Sequence, residues 1–547
     1  MKKFTLTGFL CLILTGVFAA QDIYLSPSGD DLNAGTQESP YATLAKATSM
    51  VSEDGAVIHV APGTYVFTQT AIIKPFNQTI AGADAATTVF DGNNAVSLID
   101  GMTEMQSTDK TLTISKIAFK NGKMNVTAET GGAAIKMGMK TNLTVEDAYF
   151  FNNVAESTTG IIVWAGAIYF CGNNLTVNRS FFDQNDSKST GSQGYGGAIT
   201  VRHLFNLDAS TNHLVAGATN AVIKNSTFYK NHGKTKGGAV YFNKQLDTKL
   251  DDDDATFVVQ NCTFFENTGG NGLQVGAAVA ISSGTNSTNN KAQTIILTNN
   301  TMCNNYIVDA SNVATHKNTV LLEGFRYTSY MANNLITCGI IATGEALYAN
   351  QPAPIEYGKN NIIDKIHANI NGTDFTTNAA TMNNAVVAVN PDALNLSTTL
   401  SGYPIGSTYA VPYLTVTSGS PAINAGTNSY TVNTIANPSP TDPVEYVLQS
   451  DILGTVIQGA GRDLGAFEFT PSTSAKTEIQ NKYLLRNGAN GISVLNLNNN
   501  DRIDVYNMNG MLIYSQPAEG SQVFVPLTTK GIYIISVKGE VVKHYFR

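Results

Sequence analysis

Short runs of alternating apolar and polar residues recur through the middle of the chain at intervals of 31 to 46 residues. Each copy has apolar residues at offsets 0, 2 and 7, a mostly small residue at offset 5 and, after the first copy, an asparagine at offset 10. Side chains alternate across a strand, so this spacing predicts two short β-strands that meet at a bend rather than a helix. The copies span residues 112–122, 143–153, 175–185, 221–231, 257–267 and 295–305.

Such copies predict a parallel β-solenoid, in which each coil of two or three strands stacks on the next at about 4.8 Å. Equivalent residues then form columns. We expect an internal column of rings, and a corner column of asparagines whose amides bond to their copies and tolerate a left-handed backbone. The ring column contains Phe119, Phe150, Phe182, Phe228, Phe264 and then Met302, and the asparagine column contains Asn153, Asn185, Asn231, Asn267 and Asn305.

A second element lies between the copies and consists of small residues followed by isoleucine or valine, as in 197–199 and 238–240. Its glycine and alanine residues allow the backbone to turn tightly against the core. The positions that follow it predict two outward-facing columns. The first contains Lys136, Tyr169, Thr200 and Tyr241, and the next contains Arg202 and Asn243.

The N-terminal part predicts the entry into the solenoid. Thr43 is suited to be the N-cap of a short helix whose apolar side would cover the edge of the first coil. Asp30, Asp31 and Asn33 favour an Asx-type turn, with a calcium site as the alternative.

The Gly-Gly-Ala-Ile element at 196–199, alternating with Phe-x-x-Asn at 228–231, resembles the repeats of polymorphic outer-membrane proteins and related pectate-lyase-like chains. The resemblance covers roughly residues 112–338 and implies a right-handed parallel β-helix, whose handedness rests on it alone. The predicted fold class is therefore all-β, with a right-handed parallel β-helix over residues 21–345, including its capping helix, followed by a small C-terminal β-sandwich.

Residues 346–470 are predicted to contain terminal coils and a closing block. The segments 420–426 and 462–468 resemble the block that closes many bacterial surface β-helices. Arg462, Asp463 and Glu468 have the residue types of a catalytic trio, but a structural ion pair that locks the last coils is the favoured interpretation.

Beyond a linker at 471–480, the chain changes to alternating strand patterns. Residues 481–547 resemble the type A C-terminal sorting domain of the Bacteroidetes type IX secretion system, through the Tyr-Asn-Met-Asn-Gly turn at 506–510 and the basic end. The resemblance implies a small β-sandwich that is read by the secretion machinery and removed, with lipopolysaccharide attachment of the remainder as one outcome. A stable adhesive module is the alternative.

Composition and charge narrow the function. Residues 1–20 have the basic start and the apolar run of a secretory signal peptide, which predicts a secreted or outer-membrane surface protein. Loss of Lys2 and Lys3 changes the net charge from −8 to −10, which disfavours nucleic-acid binding. No later stretch predicts a transmembrane helix. The four cysteines outside the signal peptide are too few for a disulfide framework and are interpreted as small buried residues.

Candidate catalytic residues are sparse. Lyase chemistry on this fold requires a base beside an acidic sugar, and Arg202 with His203 are the best candidates, followed by Lys136. No three or four carboxylates share one offset in neighbouring coils, so no metal site is predicted. No cofactor is predicted, although calcium is possible, for example at the acidic run 251–254, where a solvated loop is favoured.

Candidate binding residues lie on the same outward columns. Tyr169 and Tyr241 are expected to be exposed rings on which a sugar can stack, with Asn243 beside them, and asparagine and threonine ladders would bond to sugar hydroxyls. The alternative is that exposed tyrosine simply favours strands.

We therefore expect a secreted or cell-surface β-helix that recognises a polysaccharide, a surface glycan or another surface partner in an adhesin-like, carbohydrate-associated role. A polysaccharide lyase or glycoside hydrolase acting in the groove of the β-helix is the first alternative. A non-catalytic structural surface protein is the second.

Overall fold

The structure is a computed structural model. It describes residues 20–547 apart from positions 107, 192, 204–205, 209–212, 216–218, 245–254, 271–275, 284–292, 309–313, 316–318, 324–326, 338–339, 344–356, 364–365, 368–381, 384–385, 388–393, 430, 433–443, 446, 458–460, 471–483, 489, 508–509, 528, 539 and 547. Residues 1–19 of the predicted signal peptide, the acidic run 251–254, Cys338 and the side chain of His203 therefore lie outside the described residues. The chain forms two compact units, Met1–Phe469 and Thr470–Arg547.

The first unit is a right-handed parallel β-helix, as expected. Its longest sheet has 12 parallel strands, each paired with the equivalent strand of the next coil. These strands are Asp22–Leu25, Ala56–Val60, Gln78–Gly82, Thr111–Ser115, Asn142–Glu146, Asn174–Asn178, Asn220–Lys224, Ala255–Gln260, Gln293–Thr298, Tyr327–Ala332, Tyr357–Lys359 and Met382–Asn383.

The second sheet has 11 parallel strands and follows the bend in each repeat. Its last members, Ile362–Ile363 and Val386–Val387, show that the coils continue beyond residue 345. The strands are Gly63–Val66, Thr88–Asp91, Ala118–Lys120, Tyr149–Phe151, Phe181–Asp183, Thr227–Tyr229, Thr263–Phe265, Thr301–Cys303, Leu335–Ile336, Ile362–Ile363 and Val386–Val387.

The third sheet has 10 parallel strands and contains the isoleucine or valine of the second sequence element. Its strands are Ala71–Ile72, Ile99–Gly101, Ile135–Met137, Ile168–Phe170, Ile199–His203, Val240–Lys244, Val279–Ser283, Val320–Glu323, Ile340–Thr343 and Ile366–His367.

Shorter elements complete the coils. A seven-stranded sheet contains Lys123–Asn125, Val154–Ser157, Asp186–Ser189, His232–Gly233, Thr268–Gly269, Tyr306–Val308 and Ala314–Thr315. Pairs of strands form at Val163–Trp164 with Gly194–Tyr195, Asn206–Asp208 with His213–Val215, and Thr431–Val432 with Val444–Glu445. The helix Leu44–Ser49 begins after Thr43, whose hydroxyl accepts a hydrogen bond from the Lys46 backbone N–H, so the predicted cap is confirmed.

The predicted ring column is confirmed. Phe119 pairs with Phe150, and the register continues through the later coils to Met302. Successive ring centroids from Phe119 to Phe264 lie 4.9, 4.6, 4.8 and 4.6 Å apart, and the rings are stacked. All are fully buried. This column forms part of one continuous hydrophobic core that begins at Ile23 and extends to Ile363.

The asparagine column is also confirmed, and its amides are fully used. The Asn185 Nδ2 donates to the Phe150 carbonyl at 3.1 Å and to the Asn231 Oδ1 at 2.9 Å. Its Oδ1 accepts from the backbone N–H and from the Nδ2 of Asn153. The same pattern repeats down to Asn305, and each of these side chains is fully buried. Buried polar groups must be paired, so the ladder holds the coils in one register.

The expectation of a left-handed backbone at these asparagines is wrong by one residue. The residue before each ladder asparagine has the positive φ, as at Asn152 (53°), Gln184 (57°) and Lys230 (54°). The chain therefore turns just before the ladder, which leaves the asparagine side chain directed inwards. Lysine and glutamate occupy this strained position in some coils, so residue type alone does not reveal it.

The described part of residues 394–469 packs along the side of the β-helix, and we call it the strap. It rests on the last coils, where Leu394 and Leu464 belong to a cluster with Leu335 and Ile362. It also reaches back to the third coil, where the Tyr409 backbone N–H donates to Asp84 at 3.0 Å. The predicted closing block therefore covers the outer face of the 11-stranded sheet in addition to the last coils.

Arg462 fixes the strap to the β-helix. Its guanidinium is fully buried, donates to the Asn261 Oδ1 at 2.8 Å and lies 3.9 Å from the Glu468 carboxylate. Burial lowers the pKa of Arg462, and Glu468 opposes that change. Asp463 accepts a backbone hydrogen bond from Asn424. These contacts fit the favoured structural interpretation of the three residues.

Asp183 lies under the strap on the outer face of the 11-stranded sheet. Its carboxylate accepts hydrogen bonds from the Tyr149 hydroxyl at 3.1 Å and from Gln184 at 3.2 Å. The ring of Tyr403, from the strap, packs against Phe181 beside it. Burial raises the pKa of Asp183 above the usual carboxyl range, and the hydrogen bonds only partly oppose this.

The second unit is an antiparallel β-sandwich, as expected. One sheet contains Leu484–Gly488, Gly491–Leu495 and Gln522–Pro526, and the other contains Leu512–Pro517, Arg502–Asn507, Gly531–Val537 and Glu540–Phe546. Its own core includes Ile492, Val505 and Ile535.

Smaller expectations can also be compared with the structure. Cys171, Cys262 and Cys303 are buried, as expected. Asp30 accepts from the Leu32 backbone N–H in an Asx turn. Among the described residues, no helix is long and apolar enough to cross a membrane.

Removing one amide from the ladder is expected to be costly. Asn231→Ala leaves the Phe182 carbonyl and the Asn185 amide buried without their partners, so we expect a loss of about 3 kcal/mol in the free energy of unfolding. Urea denaturation followed by circular dichroism measures this change. Asn174→Ala, at a solvent-exposed amide, should change stability by less than about 0.5 kcal/mol. Equal effects of the two variants would contradict the structural role of the ladder.

The raised pKa of Asp183 predicts a pH-dependent effect. When the pKa of a carboxyl group is higher in the folded state than in the unfolded state, the group stabilises the fold fully only at pH values below its unfolded-state pKa. This stabilisation is lost as the pH rises through the folded-state pKa. Asp183→Asn should therefore raise the melting temperature at neutral pH, with the gain shrinking in acid. Asp54→Asn is the control, because the Lys110 hydrogen bond lowers the pKa of Asp54 and the same change should give no gain. A lower melting temperature for Asp183→Asn at neutral pH would contradict this interpretation.

Candidate functional site

The predicted outward columns of the 10-stranded sheet are present in the predicted register. Lys136 pairs with Tyr169, Tyr169 with Thr200, and Thr200 with Tyr241. Arg202 pairs with Asn243 in the neighbouring column. Strand pairing thus places the candidate residues on one face of one sheet.

The expectation that Tyr169 and Tyr241 are exposed is wrong. Their exposed fractions are only 1% and 3%. A second layer covers them, built from Trp164 and Tyr195 in the paired short strands Val163–Trp164 and Gly194–Tyr195. Trp164 stacks on Tyr195 at 4.7 Å, and Tyr195 stacks on Tyr241 at 4.8 Å between ring centroids. A sugar therefore has no access to the tyrosine faces in this arrangement.

Arg202 closes this aromatic layer. Its guanidinium lies over the Trp164 ring at 4.1 Å from the centroid, and its Nη1 donates to the Tyr169 hydroxyl at 3.4 Å. The Glu129 carboxylate lies 3.5 Å from Nη2. We call Arg202, Trp164, Tyr169, Tyr195 and Tyr241 the arginine–aromatic cluster.

The cluster is poorly suited to proton transfer. The guanidinium of Arg202 offers only N–H donors, which are directed at the Tyr169 hydroxyl and the Glu129 carboxylate. Burial raises the pKa of the Tyr169 hydroxyl well above its ordinary value, and burial raises the pKa of the neighbouring Cys171 thiol to about 12. Both groups therefore stay protonated at neutral pH.

Lys136 lies away from Arg202. The two residues belong to strands two coils apart, which corresponds to about 10 Å along the axis of the β-helix. The Lys136 Nζ lies 2.9 Å from the Asp100 carboxylate, which also accepts from the Met102 and Thr103 backbone N–H groups. The structure does not bring Lys136 and Arg202 together as two parts of one catalytic site.

Asn243 is the third predicted binding residue. Its Nδ2 donates to the Tyr241 hydroxyl at 3.1 Å, which ties it to the covered layer. Within the described part of the chain, no group of three or more His, Cys, Asp or Glu side chains is arranged to hold a metal ion.

A different face carries accessible polar groups. We define the open face as the outward residues of the 12-stranded sheet from the strand Asp22–Leu25 to the strand Asn220–Lys224. Its central column pairs one threonine with the next across four coils, and the adjacent column is mainly asparagine. The central column contains Thr79, Thr113, Thr144 and Thr176, and the adjacent column contains Thr111, Asn142, Asn174 and Asn220.

The amides of the open face form a solvent-exposed chain of hydrogen bonds. The Asn174 Nδ2 donates to the Asn142 Oδ1 at 2.7 Å, and the Asn220 Nδ2 donates to the Asn174 Oδ1 at 3.3 Å. The Asn142 Nδ2 in turn donates to the Asp109 carbonyl at 3.4 Å. All the amides of this chain therefore point in the same direction along the axis.

An aromatic pair stands at the N-terminal end of the open face. Tyr24 stacks on His59 with ring centroids 4.7 Å apart, and the His59 Nε2 lies 2.7 Å from the Asp22 carboxylate. Both side chains of the His59–Asp22 pair are about half exposed. Sequence reasoning missed this pair, although His59 occupies an outward position of a clear alternating strand.

The far end of the same sheet is covered. Val258, Ile296 and Tyr330 occupy the continuation of the threonine column, are buried and pack with Val447 of the strap. This column is thus apolar where Val447 packs on it and carries threonines from Thr79 to Thr176.

Comparisons with known proteins give similarity in structure only. No protein-family model matches the sequence, and no curated protein matches it. The pectate lyase Pel9A is 16% identical with a TM-score of 0.36, over 83% of this chain and 98% of its own. XylC, in its complex with xylose, is 9% identical with a TM-score of 0.34, over 82% of this chain and 98% of its own. A rhamnogalacturonan lyase is 14% identical with a TM-score of 0.23, over 68% of this chain and 86% of its own. Similarities of this size do not assign a ligand or an activity to this chain.

The arginine–aromatic cluster can be tested through Trp164, the single tryptophan of the chain. Arg202→Leu removes the cation over the indole, so we expect a changed emission maximum, stronger quenching by acrylamide and a stability loss of about 1–2 kcal/mol. Lys136→Leu is the control, because Lys136 contacts Asp100 and should leave Trp164 emission unchanged. Identical emission and quenching in the wild type and Arg202→Leu would show that the two side chains do not stack.

Proposed function

We propose that this protein is an exported, surface-associated β-helix that recognises a glycan without transforming it. The single observation that carries the proposal is the open face, with its columns of threonine hydroxyls and hydrogen-bonded asparagine amides facing solvent. Amides and hydroxyls both donate and accept hydrogen bonds, as sugar hydroxyls do. A repeated face also offers the same contacts to a repeated ligand at each coil.

A binding role is favoured over catalysis by the state of the candidate catalytic groups. Arg202 is held against Trp164, and the Lys136 ammonium is paired with Asp100. Neither arrangement leaves a base beside an accessible groove. The lyase alternative therefore gains no support from the positions of Arg202 and Lys136.

Export and surface location belong to the same proposal. They are supported by the signal-like pattern of residues 1–20 and by the resemblance of residues 481–547 to a type IX sorting domain. In this proposal the type IX machinery reads the second unit, and the β-helix is released or attached to surface lipopolysaccharide.

Glycan binding is tested with the purified protein on a panel of immobilised polysaccharides. The double variant Asn142→Ala/Asn174→Ala should bind at least about tenfold more weakly than the wild type, because two hydrogen-bonding amides of about 1 kcal/mol each are lost. Asn125→Ala, an exposed asparagine on the seven-stranded sheet, is the matched control and should bind normally. Equal binding by all three proteins would remove the open face from the proposal.

Catalysis is tested separately by incubating the protein with uronic-acid polysaccharides and following the ultraviolet absorbance of unsaturated products. We expect no product. Product formation that Arg202→Ala abolishes would refute the binding proposal in favour of the lyase alternative.

A further inference from the structure

The open face has a chemistry that selects among glycans. Its threonine column from Thr79 to Thr176 and its adjacent asparagine column carry hydroxyl and amide groups. Several charged side chains beside these columns pair with each other. Arg179 forms hydrogen bonds to Glu146 at 2.8 Å and to Asp147 at 2.7 Å, and Lys110 lies 2.6 Å from Asp54. Arg179 and Lys110, two cations beside the columns, are thus engaged by carboxylates of the same chain.

The charge of the whole chain points the same way. A net charge of −8 repels a polyanion at long range, and paired surface cations add little attraction. An acidic polysaccharide therefore gains no general electrostatic attraction to this protein. A neutral polysaccharide is not repelled by the net negative charge of the protein. Its hydroxyl groups match the hydrogen-bond donors and acceptors of the threonine and asparagine columns.

The spacing of the face sets the direction of the ligand. Neighbouring coils lie about 4.8 Å apart, so the seven strands from Asp22–Leu25 to Asn220–Lys224 span about 29 Å. The spacing of about 4.8 Å between neighbouring coils is close to the length of one pyranose unit in an extended β-linked chain. The amide chain from Asn220 to Asn142 runs along the same axis in one direction, so it also presents a polarity to a directional polymer.

The aromatic pair provides an end to the site. Tyr24 and His59 belong to the first two coils and share an outward column that continues through Ala81, Ser115 and Glu146. A half-exposed aromatic ring can stack on the apolar face of a sugar. Stacking on the aromatic pair would therefore bind the last sugar unit of the ligand, and hydrogen bonds along the open face would bind the other units.

From these observations, and on the basis of the proposed function, we infer that the ligand is a neutral, extended, β-linked polysaccharide. It lies along the axis of the β-helix with one sugar unit per coil, and its terminal unit stacks on Tyr24.

The inference predicts a length dependence. Calorimetric titration of the full chain with neutral β-linked xylan, glucan and mannan oligosaccharides should show affinity for at least one series that rises with length and levels off near about seven units. The affinity should be nearly unchanged by added salt, because no ligand charge is screened. A plateau at two or three units would overturn the one-unit-per-coil arrangement.

Variants separate the two parts of the site. Tyr24→Ala should weaken binding of the long oligosaccharide about tenfold through lost stacking. Phe524→Ala, an exposed aromatic of the second unit, is the control and should bind normally. Equal binding by Tyr24→Ala and the wild type would overturn the terminal stacking.

The outcome also separates this inference from the proposed function. Salt-sensitive binding to polygalacturonate alone, weakened by Asn142→Ala/Asn174→Ala, would overturn the neutral ligand and leave glycan recognition by the open face intact. Failure to bind any neutral or acidic polysaccharide would overturn both.

Discussion

The buried asparagine ladder is the constraint on which the rest of the structure depends. Each amide satisfies a carbonyl of the preceding coil and the amide of the next, so a slip of one residue in any coil would leave several polar groups unpaired inside the core. Stacked phenylalanines such as Phe150 and Phe182 fill the volume beside the ladder but do not define direction or register as strictly. Because the ladder fixes the register, the outward residues of the coils that it joins also align, and continuous columns become possible.

The outward columns reveal which part of the β-helix is covered. Tyr149 and Phe181 on the 11-stranded sheet, and Ile296 and Tyr330 on the 12-stranded sheet, are apolar because the strap removes them from water. Thr144 and Asn174 lie on the same 12-stranded sheet beyond the reach of the strap and remain polar. One continuous surface is thus divided by composition into a part that stabilises the fold and a part that stays hydrated.

Much of this architecture could be predicted from the sequence, because strand alternation and identical ladders are local and repetitive signals. The register of Lys136, Tyr169, Thr200 and Tyr241 follows directly from the repeat. The burial of Tyr169 and Tyr241 could not be predicted, since Trp164 and Tyr195 come from short paired strands that lie outside the repeated pattern. The strap is harder still: Tyr409 contacts Asp84, 325 residues earlier, through a backbone hydrogen bond that carries no sequence signature. The positive φ before each ladder asparagine was missed because Lys230 and Glu266 do not resemble turn residues.

The same physical argument explains why aromatic residues on a strand column were a misleading guide to function. Large rings in a column gain most when they stack on other rings and leave water, so a chain that can supply its own rings and a guanidinium will fill such a surface itself. The arginine–aromatic cluster is an example, because its aromatic surface is filled by Tyr241, Tyr195, Trp164 and Arg202 of the same chain. Burial of asparagine and threonine side chains gives less hydrophobic stabilisation than burial of aromatic rings. After they hydrogen-bond to their neighbours in a column, these exposed side chains still have donors and acceptors that bind water reversibly. A ligand that carries hydroxyl groups can replace this water and leave no polar group of the protein or the ligand unpaired. For this reason, the hydrated threonine and asparagine columns are better suited to ligand recognition than the aromatic column.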